Sequence, residues 1–94
     1  MIDLTEHSLE RAKERMSWNA DVLLKMATKA FENGYRPKDL RAALKRFVDG
    51  KSIQHHSTAY IYGQVAYFFK ENHLITLYEI PNELKKCLKK LKKT

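Results

Sequence analysis

The sequence has few of the residues that build disulfides, sharp turns and extended loops: one cysteine, two prolines and three glycines in 94 residues. The single thiol, Cys87, cannot form an internal disulfide, which fits a reducing compartment. No apolar run approaches the roughly 20 residues of a membrane span, and no secretory-signal pattern opens the chain. We therefore expect a cytoplasmic protein without membrane attachment.

Several chemical signatures are also missing. The sequence has no Gly-rich phosphate loop, no paired aspartate motif and no nucleophile elbow, so it gives no support for nucleotide hydrolysis or acyl transfer. His55 and His56 are adjacent, with no cysteine or acidic residue at ligand spacing, so we predict no metal site and no cofactor. We expect this pair in the loop before the first strand, either as a supporting catalytic histidine or as plain loop residues.

The chain is instead rich in apolar residues and positive charge. It is 44% hydrophobic, with five tyrosines, four phenylalanines and one tryptophan, a composition typical of a folded domain. Of the formal net charge of +7, the segment 82–94 supplies +5 through six lysines and one glutamate. A solvated tail is the common explanation of such charge, and attraction to a polyanion is the alternative.

Apolar periodicity predicts three helices in the first half of the chain. The first begins after Asp3 or Thr5 as its cap, and the second begins after Ser17 or Asn19 and ends at Gly34. The third has a proline in its first turn, at position 37, and ends at the glycine at position 50. Its apolar residues repeat at helical spacing: Leu40, Ala43, Leu44, Phe47 and Val48.

The second half has the composition of β-strands, because "STAYIYGQVAYFF" and "LITLYEI" are rich in aromatic and β-branched residues. We expect three antiparallel strands at about 58–62, 65–70 and 74–80, with a tight turn at Gly63; one long strand bent there is the alternative. The segment "NELKKCLKKLKKT" then predicts a short basic helix. Its apolar face holds Leu84, Cys87, Leu88 and Leu91, and it is expected to dock on this protein's own sheet or on a partner.

The predicted fold class is therefore α+β. Residues 1–81 form a single domain in which the N-terminal helices pack on one face of a three-stranded antiparallel meander. Residues 82–94 form a basic amphipathic C-terminal helix or tail.

The opening segment "HSLERAKER" places His7, Arg11 and Arg15 four residues apart, on one band of the first helix. The glutamates of this helix form a parallel band, so most of their i,i+4 neighbours are other glutamates. Helices charged for stability set Glu four residues before Lys or Arg, so helix energetics explain this arrangement poorly. This band of one histidine and two arginines would suit an anion-binding site, because a guanidinium binds phosphate through two parallel N–H groups and an imidazole titrates near neutrality. A solvated charged face is the alternative.

Read together, "HSLERAKERMS", "ADVLLKMATKAFENG" and "YIYGQVAYFFKENHLITLYEIP" resemble the RelE-like and BrnT-like toxins of bacteria and phages. The likeness is greatest to a branch that opens with His-x-x-x-Arg-x-x-x-Arg and ends on a strand reading roughly Ile-Thr-Val-Tyr. It covers most of residues 5–81. The resemblance implies one or more helices followed by an antiparallel meander, as in the broad group that includes barnase-like ribonucleases.

The resemblance also implies RNA cleavage without a metal, in which a ribose 2′-oxygen attacks the adjacent phosphorus. Carried over by position, the catalytic residues are His7 as acid or base, Arg11 and Arg15 on the phosphate, and Tyr78 as proton donor or stacking surface. The candidate RNA-binding residues are Thr76, Lys70, His56 and Tyr60. For Tyr60, a packed position under the helices is the alternative.

One feature departs from the resemblance. RelE-like toxins usually carry an arginine on the strand after the glycine turn, whereas this chain has no basic residue there until Lys70. Either the N-terminal arginines replace it, or the fold is kept without the chemistry. Two hypotheses follow: an endoribonuclease toxin, for which the resemblance implies a neutralising antitoxin, and a non-catalytic phage or bacterial module that binds nucleic acid or a protein partner.

Overall fold

The structure is a computed structural model that describes residues 2–40 and 42–88. The elements in chain order are β1 (Asp3–Leu4), α1 (Glu6–Met16), α2 (Ala20–Asn33), a 3₁₀ turn (Pro37–Asp39), α3 (Ala42–His55), β2 (Thr58–Tyr62), β3 (Val65–Lys70), β4 (His73–Glu79) and α4 (Asn82–Leu88). The predicted α+β class is therefore confirmed. Within the two described ranges, no helix is long and apolar enough to cross a membrane.

The first two helices begin and end at residues that satisfy the backbone groups of the helix termini. Thr5 caps α1 in a capping box, in which its hydroxyl accepts from the Ser8 N–H and the Ser8 hydroxyl accepts from the Thr5 N–H, each at 3.1 Å. Ser17 closes α1 in the left-handed conformation, with φ at 58°. Asn19 caps α2 by accepting a 2.9 Å hydrogen bond from the Val22 N–H.

The third helix starts later than predicted. Pro37 begins a separate 3₁₀ turn, in which the Asp39 carboxylate accepts a 3.0 Å hydrogen bond from the Arg36 N–H. Leu40 then has an extended backbone, with ψ at 158°, and the α-helix begins only at Ala42. The apolar spacing persists across this break, because Leu40 is buried in the same cluster as α3.

The third helix also ends later than predicted, at His55 and not at Gly50. Glycine in a helix interior costs about 1 kcal/mol relative to alanine, and the side-chain contacts of the following turn offset that cost. The helix ends where His56 takes a φ of 51°, and the N–H groups of His56 and Ser57 donate to carbonyls of the last turn. His55 is thus a helical residue, and the expectation of a loop holds only for His56.

The sheet has four strands in the order β1–β4–β3–β2. The antiparallel meander of β2, β3 and β4 agrees with the predicted strands to within one residue, and Gly63 lies in the turn after β2 with φ at 62°. The sheet is nevertheless mixed, because β1 pairs with β4 in parallel through Asp3 and Leu4. A strand of two residues is too short to show alternation, so no sequence pattern predicts it.

Helices cover both faces of the sheet, which corrects the expectation of one covered face. Val65, Tyr67 and Phe69 of β3 pack with α1 and α2, whereas Ala66 and Phe68 pack with α3 and α4. Successive side chains of a strand point to opposite faces, so β3 is buried on both sides. The sheet is therefore the middle layer of three.

The C-terminal helix α4 belongs to this packing. Leu84, Cys87 and Leu88 lie against the cluster formed by α3 and the sheet, so the predicted apolar face docks on the protein itself. Cys87 is half-buried there as a free thiol. Leu91, and the lysines that follow residue 88, lie outside the described residues.

Gly34 joins the end of α2 to the strand region and has no room for a side chain. A Cβ at this position would lie 2.5 Å from the Ala30 carbonyl oxygen and 3.0 Å from the Ile61 carbonyl oxygen. Both neighbours are backbone atoms, which cannot turn away as a side chain can. The predicted end of α2 at Gly34 is confirmed.

We expect Gly34→Ala to lower the free energy of unfolding by about 2 kcal/mol, because the methyl group would clash with the Ala30 carbonyl of α2 and crowd the Ile61 carbonyl of β2, so the backbone between them must shift. Gly50→Ala is the matched control, since nothing lies within 4 Å of a Cβ there. It should raise the free energy of unfolding by about 1 kcal/mol, because alanine favours the helix. Urea denaturation measures both changes, and similar effects of the two substitutions would contradict this account.

Candidate functional site

The predicted catalytic residue Tyr78 lies where three elements meet. It is on β4, on the face of the sheet that packs against α3 and α4, and it is half-buried. Side chains from α1 and α3 approach its ring and its hydroxyl. We call the group formed by His7, Arg15, Lys51, His55 and Tyr78 the Tyr78 cluster.

Helix α1 brings Arg15 to this cluster because it packs along β4 at the edge that β1 leaves free. Two side chains of the α1 segment bond to backbone carbonyls of β4: the Thr5 hydroxyl donates to Leu74 and Arg15 Nη1 donates to Leu77, each at 2.7 Å. These bonds occupy acceptors that an edge strand would otherwise expose. They also hold the guanidinium of Arg15 beside Tyr78, with Cζ 4.3 Å from the ring centroid.

Helix α3 supplies a second cation to the same ring. Lys51 Nζ lies 4.5 Å from the centroid of Tyr78. In the described part of the chain the ion pairs join other residues, so neither Arg15 nor Lys51 is paired with a carboxylate there. The next carboxylate along β4, that of Glu79, pairs with Lys85 at 3.2 Å. The cluster therefore carries positive charge that is not compensated locally.

His55 completes the cluster through a hydrogen bond. Its Nε2 lies 2.9 Å from the Tyr78 hydroxyl, and its ring packs near Phe68 at a centroid distance of 6.4 Å. Burial lowers the pKa of His55 below its usual 6.5, and the charges of Lys51, His7 and Arg15 lower the pKa further. The imidazole is therefore neutral at pH 7 and can accept a proton.

The opening motif contributes unequally to this cluster. Arg15 contacts Tyr78 directly, and His7 is exposed on α1, close enough for its charge to act on His55. Arg11 instead donates to Glu14, with Nη1 and Oε1 2.7 Å apart. In the described structure Arg11 makes no hydrogen bond or ring contact with Tyr78, so the motif delivers one guanidinium to the ring and not two.

The candidate RNA-binding residues are dispersed. Thr76 shares a sheet face with Tyr78 but is only 1% exposed, and its buried hydroxyl has no hydrogen-bond partner among the described residues. Tyr60 is on the opposite face, where its ring packs against Phe31 at 5.1 Å and under Arg36 at 4.3 Å. Tyr60 therefore occupies a packed position under the helices, which was the alternative to a role in RNA binding.

Two further candidates lie at the surface, away from the Tyr78 ring. Lys70 is exposed at the end of β3, opposite His73, whereas Tyr78 is paired with Ala66. The offset of four positions from Ala66 to Lys70 corresponds to about 13 Å along the strand. His56 is exposed in the turn after α3, next to His55 but without its bond to Tyr78.

No protein family model, no curated protein and no solved structure matches this chain. The resemblance to RelE-like and BrnT-like toxins therefore stays a prediction, and so do the roles it implies for individual residues.

Two residues of the cluster come from α3: Lys51, which is absent from the predicted site, and His55, which the sequence suggests only as a supporting catalytic histidine or a plain residue of a loop. They lie four residues apart on α3, so they occupy the same face of the helix. The spacing is visible in the sequence, but a helix that ends at Gly50 would place both side chains in a loop. The incorrect helix end thus kept these two of the five cluster residues off the predicted helix face.

An open cleft elsewhere on the surface lacks comparable chemistry. It has a volume of about 590 Å³ and is lined by Leu9, Lys13, Ser17, Trp18, Asn19 and Ala20, at the junction of α1 and α2. Lys13 is the only titratable side chain among these residues. Within residues 2–40 and 42–88, no three His, Cys, Asp or Glu side chains are grouped so as to hold a metal ion.

We expect the His55 pKa, measured from its Cε1 proton by NMR, to lie below 6.5 and to rise towards that value in Lys51→Met. The substitution removes the neighbouring charge and keeps the length of the side chain. By linkage, protonation of His55 also makes the free energy of unfolding fall as the pH drops below 6.5, because the unfolded chain binds the proton first.

Lys45→Met is the control for this titration. Lys45 lies on the same helix but pairs with Asp49 at 2.8 Å, on the exposed side. The Lys45→Met substitution should leave the pKa of His55 unchanged. A His55 pKa at or above 6.5 in the wild-type protein would refute the described environment.

Proposed function

We propose that the protein is a metal-independent endoribonuclease whose active site is the Tyr78 cluster. The observation that carries this proposal is the placement of Arg15 and Lys51 against one tyrosine ring, beside a neutral histidine bonded to the tyrosine hydroxyl. Among the described residues, neither cation forms an ion pair with a carboxylate. Such a group combines an anion site with groups that move protons. RNA cleavage by its own 2′-oxygen requires both.

The two cations are suited to a phosphate group. A guanidinium presents paired N–H donors and an ammonium acts as a compact charge, so together they can hold a phosphodiester and stabilise the extra charge of the phosphorane. Arg15 is already fixed through its bond to the Leu77 carbonyl. An oriented guanidinium loses less conformational freedom when the substrate binds.

Lys51 can supply the positive charge that an arginine on the strand supplies in RelE-like toxins and that this chain lacks there. The strand after Gly63 has no arginine, but α3 crosses the same face of the sheet and brings Lys51 over Tyr78. The cation can therefore come from a helix and not from the strand. The position of Lys51 beside Tyr78 therefore favours the enzyme hypothesis over the non-catalytic module.

The remaining groups of the cluster fit roles in proton transfer. His7 and His55 are the imidazoles near the cations, and the Tyr78 hydroxyl lies between β4 and α3. Two cations already lie over the Tyr78 ring, which favours the proton-transfer role of Tyr78 over the stacking role. As a toxin, the protein would have the neutralising protein partner that the resemblance implies.

We expect the wild-type protein to cleave a labelled RNA in the presence of a metal chelator, on its own or with ribosomes. Lys51→Met and Arg15→Ala should each lower the cleavage rate by about 100-fold or more, the usual loss when one preorganised donor to a developing charge is removed. Gel or fluorescence assays of the labelled RNA measure these rates.

Matched variants on the same helices test whether position matters. Lys45→Met removes an α3 cation that pairs with Asp49, and its cleavage rate should stay within about twofold of wild type. The loss in Arg11→Ala should be smaller than in Arg15→Ala, because Arg11 is engaged by Glu14. Circular dichroism and melting curves confirm that each variant is folded. Wild-type protein that releases no product, even with ribosomes, would refute the nuclease proposal.

The binding-module hypothesis makes a separate prediction with RNA that cannot be cleaved. We expect 2′-O-methyl RNA to bind with an affinity that falls as salt rises, and Lys51→Met to reduce the slope by roughly 0.7, the value for one phosphate contact with a single strand. Fluorescence anisotropy at several salt concentrations measures the slope. Binding of this kind without cleavage of natural RNA would favour the module, and an unchanged slope would remove Lys51 from the site.

A further inference from the structure

The Tyr78 cluster contains one hydrogen bond between two groups that can exchange a proton. His55 Nε2 and the Tyr78 hydroxyl are 2.9 Å apart. Each partner is fixed from its own side: β4 carries Tyr78 and is paired with β3, and His55 is the last residue of α3 before the left-handed turn at His56. The bond therefore joins two elements at defined positions.

The charged groups that face His55 come from two helices. Lys51 is one turn earlier on α3, and His7 and Arg15 approach from α1; on the sheet side the imidazole meets Tyr78 and Phe68. Within the described residues, the hydrogen-bond partner of His55 is the phenol and not a carboxylate. Either ring nitrogen of a neutral imidazole can carry the proton; with the proton on Nδ1, Nε2 accepts from the Tyr78 O–H, and the proton transfer proposed below starts from this tautomer.

Resting on the proposed nuclease function, we propose that Tyr78 and His55 act together as the general base. The Tyr78 oxygen takes the proton of the ribose 2′-hydroxyl while its own proton passes to Nε2 of His55. The 2′-oxygen forms a bond to phosphorus and the bond from phosphorus to the 5′-oxygen breaks. The 5′-oxygen leaves with a proton donated by His7, so the protein ends with one proton moved from His7 to His55.

The bound phosphate makes the proton transfer to His55 more favourable as the transition state forms. In the free protein the neighbouring cations oppose an imidazolium at His55. A phosphodiester bound by these cations offsets their charges, and the phosphorane adds further negative charge. His55 therefore becomes a stronger base as the transition state forms, and the cations that hold the substrate also control its activation.

His55→Gln is the direct test, because the glutamine amide can accept from the Tyr78 hydroxyl but cannot take up a proton. We expect kcat/KM for a labelled RNA at pH 7 to fall by about 100-fold or more. Binding of 2′-O-methyl RNA should change by less than about threefold, since the amide leaves the phosphate-binding cations in place. The acid limb of the pH–rate profile should also disappear.

Tyr78→Phe should cause a similar loss, and the double variant should be no slower than the slower single variant, because the two groups act as one unit. His73→Gln is the control; this exposed histidine lies 3.6 Å from Asp3, on β4 beside β1, and its rate and pH profile should match wild type. A purely structural role for His55 would leave the acid limb in place in His55→Gln.

A measurement on the wild-type protein alone does not depend on any variant folding. The midpoint of the acid limb of kcat/KM should coincide with the His55 pKa from NMR, because kcat/KM reports the free enzyme. Midpoints that differ by more than about half a unit overturn the assignment of the base while the nuclease function stands. Wild-type protein that does not cleave RNA overturns both.

Discussion

The central strand β3 has both of its faces buried, and the rest of the architecture follows from that constraint. Five consecutive residues, Val65–Phe69, are buried, and their side chains alternate between two apolar clusters. A strand of this kind requires cover on each side. Helices α1 and α2 supply one layer, and α3 and α4 supply the other. Because α1 also runs along the β4 edge, the C-terminal end of β4 has helices on two sides.

The side chains of the Tyr78 cluster meet at this end of β4. Tyr78 is half-buried, so its ring meets Arg15 from one helix and Lys51 from another, and its hydroxyl meets His55. Cations beside an aromatic ring are attracted to its face, which partly offsets their mutual repulsion. The cost that remains is a destabilising concentration of positive charge. Such repulsion between like charges is common at functional sites, because a bound ligand of opposite charge relieves it.

The charged motif on α1 describes the Tyr78 cluster only in part. His7, Arg11 and Arg15 share a band on α1, but Arg11 is engaged by Glu14 and only Arg15 contacts the tyrosine. The place that a second guanidinium would have taken at the ring is occupied by Lys51 of α3. Both partners of Tyr78 on α3 follow a glycine, at a point where the sequence suggested that the helix had ended.

Agreement between sequence and structure is best where the information is local. The predicted strands match β2, β3 and β4 to within one residue, because alternating aromatic and β-branched residues and a glycine turn determine them locally. Gly34 ends α2 as predicted, and Thr5 and Asn19 are the caps among the two candidates that the sequence offered for each helix. The two-residue strand β1 and the end of α3 were not predictable in this way. The first depends on a distant strand, and the second on contacts that outweigh the preference of Gly50.

The sequence by itself determined the fold class, the order of the main elements and the charge pattern of α1, because each of these depends on spacing between neighbours in the chain. Only the tertiary structure decided that helices cover both faces of the sheet and that Lys51 and His55 meet Tyr78. Residues 51 and 78 are far apart in sequence, and nothing in their local patterns encodes the packing of α3 across the end of β4. That packing is set by the total apolar surface that the sheet must bury.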